Sequence, residues 1–405
     1  MQKHILNVKN YGPINGSFKM NADTRLTLIV GTQGTGKSTV AKLAHFLELS
    51  QYKLLRRFAQ ENPKSTHKDK EKFLDLKFKN WMHFNVTDDT EIIYENAFGT
   101  TTVNKSGYKF NLINGYLERV ENNSKDSYLL PSLYAHSRCV YIPACRAFFT
   151  NISKDSRYHT ESSISFTAHY LKYRDNIVRE KISSTLEHAL ESKVASNPSW
   201  GIKNKRIGKR IIDLFYKIIH GSSYKCCSRC ATYTEHIEVK KGPVLPLLES
   251  SSGQQAVMPL LVALFNIFLE GKRYLVNIEE PEAHLFPETQ VTLMRYIALV
   301  ANTTDSRILI TTHSPYILQS TNLLTFSAKI EKNNDYGKAN VVACDERVPA
   351  RNVNAFLFYR NKSGGFKSKS IINKEQGLIN TLEIDTISNV TDSKFMRLMN
   401  INNKK

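Results

Sequence analysis

The chain has 405 residues, with 56 Lys+Arg against 37 Asp+Glu and a formal net charge of +19. That length holds one large domain with insertions, or two domains, and buries enough core to fold without disulfide staples. A content of 41% hydrophobic and 23% charged residues excludes wholesale disorder, and the longest apolar stretch, Val257–Leu269, is interrupted by Pro259 and Asn266, so no membrane span is expected.

The opening Met1–Ile5 reads as a strand, not as a charged region ahead of an apolar signal core, so secretion is not expected. The six cysteines (Cys139, Cys145, Cys226, Cys227, Cys230 and Cys344) are too few and too irregular for a disulfide framework, which fits a reducing cytoplasm. The positive excess points to an acidic partner: nucleic acid, an anionic membrane surface or an acidic protein. It is unevenly spread. Residues 51–80 carry a net +5, residues 360–370 a net +4, and residues 201–230 a net +7 with Lys203, Lys205, Arg206, Lys209 and Arg210 in one run. Residues 1–50 and 241–330 together carry only +3, so the charge reads as a property of partner-facing insertions.

In chain order, the first 50 residues predict strand, loop, strand, Gly-rich loop and helix, with Leu26–Val30 a β-favouring run that stops at Gly31. Residues 48–82 read as helical, broken at Asn62-Pro63. Short β runs follow at Glu91–Glu95, Thr101–Val103 and Cys139–Ile142. Residues 165–220 read as helices separated at Ser196-Asn197-Pro198, and residues 253–320 as helix–strand–helix–strand, the pattern of a parallel α/β sheet. Two β runs, a helical piece and a polar tail complete the chain.

Gly31-Thr32-Gln33-Gly34-Thr35-Gly36-Lys37-Ser38 matches G-x-x-x-x-G-K-[ST] between a predicted strand and a predicted helix, with Thr39 following. Such a loop curls backbone N–H groups around phosphate oxygens, Lys37 bridging the β- and γ-phosphates and Ser38 offering a hydroxyl to Mg²⁺. The run Tyr274–Glu280 is an apolar strand ending in two acids; Glu279 would join the Mg²⁺ shell and Glu280 would polarise the attacking water. About 30 residues on, Arg307–Thr312 is a β run leading to His313, placed to meet the γ-phosphate or that water. Ser250-Ser251-Ser252-Gly253-Gln254-Gln255 ahead of an apolar helix offers a second anion site, with a plain serine N-cap as the alternative. Cys227-x-x-Cys230, with His236 nearby, is half of a zinc pattern, but a lone pair without heptads is weak and no metal is expected there.

Taken in order, the P-loop, Ser-Ser-Gly-Gln-Gln, Ile-Glu-Glu-Pro-Glu-Ala-His-Leu-Phe-Pro and Thr-Thr-His-Ser-Pro resemble the ABC-type ATPase head of the OLD/RecF/SMC branch. Tyr11-Gly12-Pro13-Ile14 and Tyr141-Ile142-Pro143-Ala144-Cys145-Arg146 are similar to the OLD-like ATPases of bacterial anti-phage systems, among them the ATPase subunits of PARIS and Septu. These motifs cover about 150 residues. The resemblance implies an α/β P-loop fold with a mixed sheet and an inserted helical subdomain. Its divisions would be an N-terminal ATPase lobe (1–150), a basic helical region (151–245), a C-terminal ATPase lobe (246–330) and an extension (331–405). It also implies a homodimer in which ATP and Mg²⁺ on one P-loop are capped by Ser251, Gly253 and Gln254 of the facing chain.

The pattern departs from transporters in having Glu279 where an Asp is usual. No Q-loop glutamine is placed, since Gln51 and Gln60 sit too early, and Arg146 is offered for the nucleotide region instead. The functional expectation is a cytoplasmic switch ATPase that controls a separate effector chain, commonly a nuclease, during phage infection. The alternative is a RecF/Rad50-like DNA-binding ATPase, and a transporter subunit is the weakest reading. DNA or an acidic phage protein would meet the basic insertions. An intrinsic nuclease is not expected, because the acids after Ser320 form no strand-borne cluster, Asp345-Glu346 reading as an exposed turn.

Overall fold

The computed structural model describes residues 4–96, 99–112, 138–146, 185–227, 234–239, 242–330, 341–361 and 364–383, with residues 166, 170, 173, 174 and 177. Leu26–Gly31 forms a strand (β3) buried from Leu26 to Val30, as expected where both faces of a sheet are covered. The main sheet runs, edge to edge, Phe366–Ser370 (β14), Val353–Arg360 (β13), β3, Arg307–Thr312 (β12), Leu275–Glu279 (β11) and Cys139–Ile142 (β7). Neighbours are parallel except β14, which is antiparallel to β13. The fold is therefore α/β with a mixed sheet.

Side-chain alternation along β3 divides the core in two. Leu26, Leu28 and Val30 face helices Gly201–Ile218 (α5), Ser252–Glu270 (α6) and Pro287–Thr304 (α7). Ile29 faces the helix Lys37–Leu49 (α1), which is itself covered by a second, antiparallel sheet. That sheet has the order Ile14–Asn21 (β2), Ile5–Tyr11 (β1), Glu91–Asn96 (β4), Gly99–Asn104 (β5), Gly107–Leu112 (β6). The sequence reading expects a single strand ahead of Leu26 and places no β run between Val103 and Cys139. The structure adds β2, folded back through Gly12-Pro13, and β6, whose Tyr108 and Phe110 alternate into the core.

Beyond α1 come a π-helical turn (Ser50–Leu54) and the helices Leu55–Glu61 (α2) and His67–Met82 (α3), the latter closed by a Thr66–Asp69 capping box. The helices Leu186–Ser196 (α4) and Pro315–Lys329 (α8) and a small sheet of Ser223–Cys227 (β8), Thr234–Glu238 (β9) and Val244–Pro246 (β10) complete the layers. Helix α6 is long and apolar enough to cross a membrane, yet every residue from Ala256 to Leu269 is buried in the core.

The structure revises three expectations. Within the expected extension, the described strand β13 belongs to the main sheet, since it pairs directly with β3 and carries β14. The basic run on α5 is partly neutralised within the chain: Arg206 pairs with Asp345 at 3.0 Å and Arg210 with Glu346 at 3.0 Å. Glu346 is not on an exposed turn; it is fully buried and also accepts from Arg295 Nε at 2.6 Å. Asn302 Nδ2 adds bonds to the carbonyls of Asp345 and Arg347, so this short helical turn staples α5 to α7. The Cys227 side chain, Cys230 and the expected final helix lie outside the described residues.

A buried carboxylate shared by two arginines leaves both cations uncompensated when it is removed, although each arginine keeps some water contact. Glu346→Gln is expected to destabilise the fold by about 2–4 kcal/mol, read as a lowered urea midpoint at unchanged slope.

Candidate functional site

The parallel register decides which residues meet. Ile29 of β3 pairs with Thr311 of β12, and Thr311 with Glu279 of β11, so the C-terminal ends of the three strands form one edge. The loop Gly31–Gly36, the acids after β11 and His313 after β12 all leave from that edge, where open α/β sheets place ligands. Gly31 is obligatory for a reason the motif does not state. At φ 152° its backbone runs against β13, and a Cβ there would lie 2.0 Å from the Phe358 carbonyl oxygen.

Helix α1 starts at Gly36, in the left-handed region with φ 93°, and no side chain caps it. Its first amides therefore remain available to an anion, with the positive end of the helix dipole behind them. Thr32, Gln33, Gly34 and Ser38 are exposed, whereas Thr35, Lys37 and Thr39 are buried. Thr35 Oγ1 donates to the Thr32 carbonyl at 2.7 Å and shapes the loop. Lys37 Nζ donates to the carbonyls of Gly31 at 2.8 Å and Thr32 at 2.9 Å, which folds the ammonium back over the loop. Burial lowers its pKa to about 8, against the opposing pull of Glu280, Glu282 and Glu279.

Glu279 is buried; its Oε2 accepts from the Ala144 amide at 3.3 Å, and its Oε1 has no hydrogen-bond partner among the described residues. Burial and that carboxylate push the Tyr141 phenol well above its ordinary value. An orphaned carboxylate oxygen and the exposed Ser38 hydroxyl are the hard oxygen donors that a magnesium ion takes, the remainder coming from phosphate and water. Among the described residues, no group of three or more His, Cys, Asp or Glu side chains is arranged to hold a metal unaided.

Glu280 has φ 43°, a left-handed conformation that costs a non-glycine residue strain, and its amide donates to the Thr311 carbonyl at 2.8 Å. The turn aims its half-exposed carboxylate at His313, whose Nε2 is 3.5 Å from Oε1. Burial first, and then the Lys37 charge, push the His313 pKa down, which favours the neutral ring.

Two residues with clear roles were not singled out by the motifs. Glu282 Oε1 accepts from Thr312 Oγ1 at 2.7 Å and the His313 amide at 2.8 Å, fixing the His313 turn, while its Oε2 is buried without a partner among the described residues. Arg360 Nη2 donates to the Gly34 carbonyl at 3.2 Å and Nη1 to Asn15 Oδ1 at 3.0 Å, tying β13 to the loop. Glu282 falls within the Glu-Glu-Pro-Glu-Ala-His stretch but its spacing states no role for it, and Arg360 lies in no recognisable motif, so only their surroundings reveal what the two side chains do.

Arg146 is corrected. It does not face a nucleotide, because its guanidinium is fully buried and spent on backbone carbonyls. Nε donates to Ala256 O at 2.7 Å, Nη1 to Glu279 O at 2.8 Å and Pro143 O at 3.2 Å, and Nη2 to Glu280 O at 2.9 Å and Pro281 O at 3.3 Å. Gln51 is also buried, bonded to Thr101 Oγ1 at 2.8 Å.

Ser251, Gly253 and Gln254 stand apart from the loop. Ser251 caps α6, its Oγ accepting from the Gln254 amide at 3.3 Å while Gln254 Oε1 accepts from the Ser251 amide at 3.2 Å. Within one chain the serine N-cap describes Ser251. Gly253 is held by close approach, since a Cβ there would sit 2.8 Å from His284 O, and beside it Leu248 and Phe286 are exposed by 50% and 73%.

Residues 231–318 match the profile of a family described as an AAA ATPase domain. The match spans α6, β11, α7 and β12; the P-loop lies some 200 residues upstream and reaches it through the β3–β12 pairing. No curated protein matches. Among solved structures, the chain is similar to an Smc head bound to the C-winged helix domain of ScpA (12% identity, 92% of this chain and 98% of that one, TM-score 0.45). The SMC head domain from Thermotoga maritima gives 11% identity, 92% and 99% coverage and a TM-score of 0.41. An Smc head with an extended coiled coil, bound to the C-terminal domain of ScpA derived from Pyrococcus furiosus, gives 13%, 96%, 100% and 0.44.

The buried ammonium has a pH signature. A lysine whose native pKa is about 8 binds its proton less readily than in the unfolded chain, near 10.5. Keeping it charged therefore costs stability below pH 8, and stability rises between roughly pH 8 and 10.5 as the unfolded state alone stays protonated. Lys37→Met should remove that rise, changing the wild-type-minus-variant difference by up to roughly 3 kcal/mol across the window in urea titrations.

Proposed function

We propose that this protein is an ABC-type switch ATPase that binds and hydrolyses ATP with Mg²⁺ and works as a head-to-head homodimer. In this reading it is the sensor subunit of a cytoplasmic anti-phage complex and controls a separate effector chain, a nuclease. The observation that carries the ATPase reading is the shared strand edge, which gathers Gly31–Thr39, Glu279, Glu280 and His313 around one uncapped helix start.

The roles follow from the chemistry. Amides of the loop and α1 would cradle the phosphates, and Lys37 would turn from the loop carbonyls to the β- and γ-oxygens, where phosphate charge restores its proton affinity. Ser38 and Glu279 would hold Mg²⁺, which supplies charge neutralisation at the phosphates. Glu280 would accept a proton from the attacking water, with neutral His313 orienting it or the γ-phosphate. The exposed start of α6 and its apolar neighbours Leu248 and Phe286 suit a second copy of the chain better than solvent. In a dimer, Ser251, Gly253 and Gln254 would cap the partner's ATP.

Glu280→Gln should keep ATP affinity within a few-fold while turnover falls by at least 100-fold, and Lys37→Ala should lose ATP binding. A Lys37→Ala chain that hydrolyses ATP at the wild-type rate would make the loop assignment wrong. With ATP, Glu280→Gln should sediment as a dimer and, purified from its host, retain a second polypeptide that cuts DNA. Recovery of a dimer that binds DNA with no second polypeptide would remove the effector.

The second reading, a DNA-binding repair ATPase, rests on Lys203, Lys205, Lys209 and Lys217, all exposed on α5. It requires salt-dependent binding to DNA that weakens when these lysines are neutralised together. Arg206 and Arg210 are poor test positions, since neutralising them breaks the Asp345 and Glu346 pairs.

A further inference from the structure

Arg146 occupies an unusual position for a buried cation. Among the described residues its hydrogen-bond acceptors are backbone carbonyls: Ala256 in the first turns of α6, Pro143 after β7, and Glu279, Glu280 and Pro281 in consecutive order at the end of β11. Burial lowers its proton affinity, and the carboxylates of Glu282, Glu280 and Glu279 counter this without being hydrogen-bonded to it. A planar guanidinium with five donors in fixed directions behaves as a rigid bracket. One edge holds the helix that begins at Ser251. The other holds the strained turn, with left-handed Glu280 and His284, that aims the Glu280 carboxylate.

The two elements meet a second time, where Gly253 approaches His284 O so closely that a Cβ would stand at 2.8 Å. Displacing the start of α6 therefore has two routes into the 279–286 turn. One is a soft contact at the surface, and the other is a stiff charged bracket in the core. The turn itself is anchored on its far side by the Glu280 amide, which donates to Thr311 O at 2.8 Å.

We propose that Arg146 is a positioning residue that couples the Ser251–Gln254 helix start to Glu280 of the same chain. An anion engaged at that helix start, the γ-phosphate held by a second copy of this chain, would thereby set the aim of Glu280 toward the chain's own nucleotide. The proposal rests on the ATPase reading above and adds a regulatory link to it: each chain hydrolyses when its own helix start is occupied.

The test needs first only the unmodified protein. Hydrogen exchange is followed while a non-hydrolysable β,γ-imido ATP analogue with Mg²⁺ is added at several protein concentrations. Segments 251–257 and 279–286 are expected to gain protection together, with one midpoint that shifts with protein concentration. Separate midpoints overturn the coupling while leaving the ATPase reading intact. Absence of protection at Gly31–Thr39 overturns the ATPase reading, and the coupling with it.

In Arg146→Lys, which keeps the charge but not the fork, affinity for the analogue should stay within about twofold while kcat falls tenfold or more. The two segments should then respond at different analogue concentrations. A variant with kcat within twofold of wild type overturns the proposal. So does one in which kcat falls only in proportion to the folded fraction. Should Arg146→Lys not fold, the exchange measurement on the wild type decides alone.

Discussion

The register of three parallel strands is the constraint on which the rest of the site depends. Ile29, Thr311 and Glu279 lie in one hydrogen-bonded row, so the segments that follow β3, β11 and β12 have to emerge side by side. Because side chains alternate along a strand, a slip of one residue would exchange the buried and loop-facing positions of every motif. The burial of all three strands on both faces prevents that slip. The antiparallel sheet, the apolar helix α6 and the packing of α1 act on the site mainly by holding this edge.

Electrostatics divides the molecule along the same lines. Within the site, charge is tightly managed: a buried ammonium rests on loop carbonyls, a buried guanidinium on turn carbonyls, and the His313 imidazole faces a carboxylate. On the periphery the net +19 is less uniform than the composition suggests. Part of the α5 run is structural, because Arg206 and Arg210 are answered by Asp345 and Glu346, 139 and 136 residues away in the chain. Besides the paired but exposed Arg206, α5 exposes Lys203, Lys205, Lys209 and Lys217.

The fold was largely legible where a residue's neighbours in sequence are also its neighbours in space. Leu26–Gly31, the helix break at Asn62-Pro63 and the alternation from α6 to β12 each follow from local composition and periodicity. The hairpin strand β2 and the strand β6 were readable in principle from Gly12-Pro13 and from the Tyr108/Phe110 alternation, but short runs compete weakly with loop assignments. Glu346 illustrates the opposite case. Its neighbours Cys344, Asp345 and Arg347 carry every mark of an exposed turn, and only the arginines arriving from α5 and α7 make it a core residue.

By itself, the sequence determined the chemistry: a glycine loop ahead of Lys37 and Ser38, acids at the end of an apolar strand, and a histidine after another, because each of these groups acts through a short, contiguous backbone geometry. The tertiary structure decided which of them share an edge, that β13 from the end of the chain closes over Gly31, and that Arg146 lies beneath the Glu280 turn and not beside a nucleotide. Those outcomes depend on carbonyls and carboxylates brought together from segments more than 100 residues apart, whose pairing no local pattern encodes.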